Sequence, residues 1–104
     1  MLFRSMGLAD AIKAKGMPQQ TGGEVATRVA NGEAEIGMTL IAEIVPIKGA
    51  RVAGPLPAPL GNDTTYCAAV MAASSSREAA LAFIAALKRP DRHAVWAEAG
   101  FEAA

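Results

Sequence analysis

Residues 21–38 read TGGEVATRVANGEAEIGM, and they set a helix directly against a strand. Thr21 and Glu24 have the spacing of a capping box, in which the hydroxyl accepts from the N3 amide and the carboxylate reaches back to the N-cap amide. Val25 and Val29 share a helical face, with Ala26 and Ala30 beside them. Asn31-Gly32 stops the helix, because glycine takes the left-handed C′ conformation without strain. The next five residues, AEIGM at 34–38, are short, apolar and bounded by turn formers, which predicts a buried strand. Gly22 and Gly23 stand where the helix begins. One explanation is conformational, a tight entry from Gln20. The other uses the absent side chains. A helix start presents unpaired N–H donors and partial positive charge, and without β-carbons a ligand oxygen can approach them closely. Gly22 and Gly23 are therefore candidate ligand-binding residues, against which Glu24 counts, since a carboxylate at N3 competes for the same donors and repels an anion.

Working outward, Leu2, Phe3 and Met6 fall on one helical face, and Gly7 is placed to end that short helix. Residues 8–15 have room for a further turn, and 16–20 read as an extended connection or a short edge strand, because Pro18 cannot donate to a ladder. Downstream, Thr39 is positioned to cap a helix whose apolar stripe is Leu40, Ile41, Ile44 and Val45. Pro46 and Gly49 bracket its end. Residues 51–56 predict a second strand. Pro55, Pro57 and Pro59 then deny any central ladder there. TTYCAAVMA at 64–72 is the longest strand candidate, with both faces expected to be covered. Ser75 and Glu78 repeat the capping-box spacing. Ala80, Phe83, Ile84 and Leu87 follow at helical intervals, Pro90 breaks the run, and Val95, Trp96 and Ala99 line a last helix. Gly100-Phe101 resembles a C′ glycine followed by a hydrophobic clasp. Helices alternate with strands, which predicts an α/β fold with a mainly parallel sheet.

The 104 residues are enough for one domain. Alanine occupies twenty-four positions and aromatic residues five, so closely packed helices are expected in place of a bulky core. Ten basic residues balance ten acidic ones, which argues against a nucleic-acid partner, since that needs a basic face. Cys67 is the single cysteine and His93 the single histidine, so neither a disulfide nor a four-ligand zinc site is expected. No apolar run is long enough to span a membrane. No signal peptide is recognisable, so the chain as written would stay in the cytoplasm. Tyr66 is expected half-buried on its strand, Cys67 as a small core residue, His93 in solvent and Trp96 as a packing anchor. Glu33 and Glu35 flank one alanine without a metal-ligand pattern around them. There is no nucleophile–base–orienter set and no phosphate loop, so no enzyme and no cofactor are expected.

Three stretches carry a family resemblance: VATRVANGEAEIGMTLIAEIVPIKGARVAGPLP at 25–57, TTYCAAVMA at 64–72 and REAALAFIAALKRPDRHAVWAEAGFE at 77–102. Their order and spacing, with GEAEIG, GPLP and the closing AGFE, resemble the C-terminal part of a type II periplasmic substrate-binding protein. The molybdate-binding-like branch of these ABC-transporter components is the most similar. The resemblance implies one lobe of a two-lobed α/β fold, truncated at the N-terminus, with a short mainly parallel sheet flanked by helices. It implies a single partial domain over 1–104, with 16–63 as second-lobe core and 64–104 as the hinge-crossing strand and C-terminal helices. It implies a small oxyanion or other anionic or polar solute, an ABC-transporter permease as partner, and a periplasmic location. In molybdate binders a backbone N–H at the matching helix start contacts the oxyanion, which maps onto Gly22 with Thr21 and Gly23 adjacent. A tyrosine after the matching strand supplies a hydroxyl; here that position is Leu40. The alternative expectation is a non-catalytic truncated domain whose exposed lobe interface drives homo-oligomerisation without retained ligand binding.

Overall fold

The computed structural model describes residues 2–102 and divides into two compact units, Met1–Asn62 and Asp63–Ala104. In the first unit, α1 (Leu2–Ser5) and α2 (Ala9–Lys15) form a helical pair. Gly7 turns the chain between them, its N–H bonding the Arg4 carbonyl at 3.2 Å and that of Leu8 the Phe3 carbonyl at 2.8 Å. The longest helix of this unit, α3 (Gly22–Ala30), is the one read from residues 21–38, and its capping box is formed. It ends at Gly32, as expected from Asn31-Gly32. The short α4 (Ile41–Ile44) packs against α3.

The apolar face of α3 is the centre of this unit. Ala26, 3% exposed, is the one buried hydrophobic residue among those described. The segment after α3 lies against the same face. A β-carbon on Gly37 would come within 2.7 Å of Val25 Cγ1 and 3.1 Å of Val29 Cγ2, so only glycine permits this approach. Ala30 meets Gly49 in the same way, at 3.2 Å from its β-carbon position.

In the second unit, α5 (Arg77–Leu87) is followed by a 3₁₀ turn at Pro90–Arg92 and by α6 (His93–Glu98). Pro90 ends one helix and begins the next turn, where its missing N–H costs nothing. Trp96 anchors the pair by donating from Nε1 to the Leu87 carbonyl at 2.9 Å. The clasp at Gly100-Phe101 is present. Gly100 has φ +85°, its N–H bonds Ala97 O at 3.0 Å, and Phe101 N–H bonds Trp96 O at 2.9 Å. The Phe101 ring stands edge-on to Trp96 with centroids 5.6 Å apart. Tyr66 adds a second edge-on contact to Phe101 at 5.5 Å.

Several local expectations are corrected. Residues 34–38, 51–56 and 64–72 carry no β-ladder among the described residues. At 34–38, Gly37 packs closely on the Val25 and Val29 side chains of α3, and Ile36 is 79% exposed. The 64–72 stretch is not covered on both faces, since Met71 is also 79% exposed. Thr39 does not cap α4. Leu40 holds the N-cap position without a side-chain bond, and the Thr39 hydroxyl donates to the Glu43 carboxylate. Ser75 and Glu78 form no capping box. The N-cap of α5 is Ser76, whose N–H bonds Ser74 Oγ at 3.2 Å, so one of three consecutive serines displaces the expected register. Tyr66 is 63% exposed despite its edge contact with Phe101, and Cys67 is an exposed thiol.

Candidate functional site at the start of the third helix

Thr21 approaches α3 in an extended conformation, φ −129° and ψ 155°. Its Oγ1 accepts from the Glu24 N–H at 3.3 Å. Glu24 Oε2 accepts from the N–H of Thr21 and of Gln20, both at 3.0 Å. The Thr21 hydroxyl and the Glu24 carboxylate are thus committed to the cap. The N–H groups of Gly22 and Gly23 remain, and none of the described residues accepts from them. These two donors sit at the positive end of the helix, equivalent to roughly half an elementary charge.

The two glycines have different surroundings. A β-carbon at Gly22 would overlap the Glu43 carboxylate and the Thr39 hydroxyl, whereas one at Gly23 would meet nothing within 4 Å. Gly22 therefore lets the Glu43 and Thr39 side chains approach closely, and Gly23 leaves its donor open. Leu40, half-buried and extended at φ −66° and ψ 141°, directly follows the threonine that touches Gly22. The fold brings Gly22 together with Thr39 and Glu43, two residues that the sequence did not single out as site residues. Their signal was the Thr39–Glu43 spacing of four, which on a helical turn makes the two side chains neighbours.

Electrostatically the site is mixed. Two backbone donors have no acceptor among the described residues, while the Glu24 and Glu43 carboxylates stand close to the same helix end and complement it. At the other end of α3, Arg28 pairs with Glu33 and bonds Gln19 Oε1 at 3.2 Å. The Asn31 amide, 3.2 Å from Glu33 Oε1, and the Arg28 guanidinium hold the Glu33 carboxyl below its ordinary value of 4.5. This exposed cluster braces the helix end.

Among the described residues no three His, Cys, Asp or Glu side chains gather to hold a metal ion, and no helix is long and apolar enough to cross a membrane. His93 is exposed on α6.

A family model described as bacterial extracellular solute-binding protein matches residues 1–102. No curated protein and no solved structure matches the chain.

Proposed function

The chain belongs to the bacterial extracellular solute-binding protein family, and from that premise we propose that it forms part of one α/β lobe of a binding protein that delivers a small solute to an ABC transporter. The family match over residues 1–102 is the observation that carries this proposal. The protein binds and does not catalyse, and it needs no cofactor. Its place of work is the periplasm. Segments 34–38, 51–56 and 64–72 serve as strands once neighbouring backbone supplies their ladder partners, since a strand without a neighbour has no hydrogen bonds to hold it.

The solute meets the lobe at the start of α3. The N–H groups of Gly22 and Gly23 supply the donors, Thr21 holds them in place, and Leu40 gives an apolar wall where molybdate binders carry a hydroxyl. The solute is a small oxyanion or another anionic or polar molecule. Glu43 tunes that choice, because its carboxylate lies against Gly22 and opposes negative charge. Calorimetric titration of the chain with molybdate and sulfate tests this. Glu43→Gln is expected to tighten oxyanion binding by roughly fivefold, the equivalent of about 1 kcal/mol for one charge at a helix end. No oxyanion binding in either protein, together with binding of neutral polyols, would remove the oxyanion assignment.

A second proposal has its own observation. Phe83, Val95 and Met71 are 64%, 54% and 79% exposed, and apolar side chains left open in this way favour association. In that case the chain is a homo-oligomer.

A further inference from the structure

We draw no further inference here: the strongest candidate, the start of α3 where the Glu43 carboxylate and the Thr39 hydroxyl close on Gly22, belongs to the site already described, and among the described residues no buried unpartnered polar side chain points to a more specific ligand there.

Discussion

A methyl group added at Gly22 would overlap the Glu43 carboxylate and the Thr39 hydroxyl, whereas one added at Gly23 meets nothing within 4 Å. The two positions should therefore respond differently. Gly23→Ala should stabilise the chain by about 0.5–1 kcal/mol, because alanine loses less backbone freedom in a helix. The same change should weaken oxyanion binding if a solute oxygen approaches that amide. Gly22→Ala should stabilise less than Gly23→Ala or be neutral, since the added carbon makes the Glu43 and Thr39 side chains turn aside. Urea unfolding of both variants measures the pair, and equal effects would refute the structural difference. Glu33 gives a pH test. Its carboxyl is held down by Asn31 and then Arg28, so its folded value lies below the unfolded one. Its stabilising contribution is present above pH 4.5 and is lost as pH falls through the lowered folded value. An NMR titration of the Glu33 side chain should show a midpoint below 4.5, and Asn31→Ala should raise it.

Helix ends were the most legible elements. The cap at Thr21, the stop at Asn31-Gly32 and the clasp at Gly100-Phe101 all involve residues within a few positions of one another, so spacing alone identifies them. Gly100→Ala tests the last of these. With φ at +85°, alanine there should cost about 1–2 kcal/mol and loosen the Phe101 ring from Trp96, seen as a lower melting temperature and altered tryptophan emission. The cap expected at Ser75 failed for an equally local reason. Ser74, Ser75 and Ser76 offer neighbouring hydroxyls, and spacing cannot choose among them. Thr39 failed differently. Its hydroxyl had two possible partners, the amide of a helix start and the Glu43 carboxylate, and the charged acceptor makes the stronger bond.

Across the chain, the face of α3 made by Val25, Ala26, Val29 and Ala30 was readable from periodicity, and it does carry the packing of its unit. The candidate site was half readable. Thr21 and the two glycines mark a helix start, but that Glu43 and Thr39 reach Gly22 from about twenty residues away has no counterpart in spacing. The strand expectations have no β-ladder among the described residues. AEIGM and TTYCAAVMA have strand-like composition, yet a ladder needs a second segment at the right distance, and composition carries no information about one. Instead Gly37 lies on two valines and Ile36 faces outward. The order of residues was sufficient for the helix boundaries, the capping box and the glycine stops, because those interactions close within one or two turns of backbone. Tertiary structure alone decided that Glu43 and Thr39 close on Gly22, that Cys67 and Tyr66 lie open, and that α5 and α6 leave a groove, because each depends on which distant groups occupy the same space.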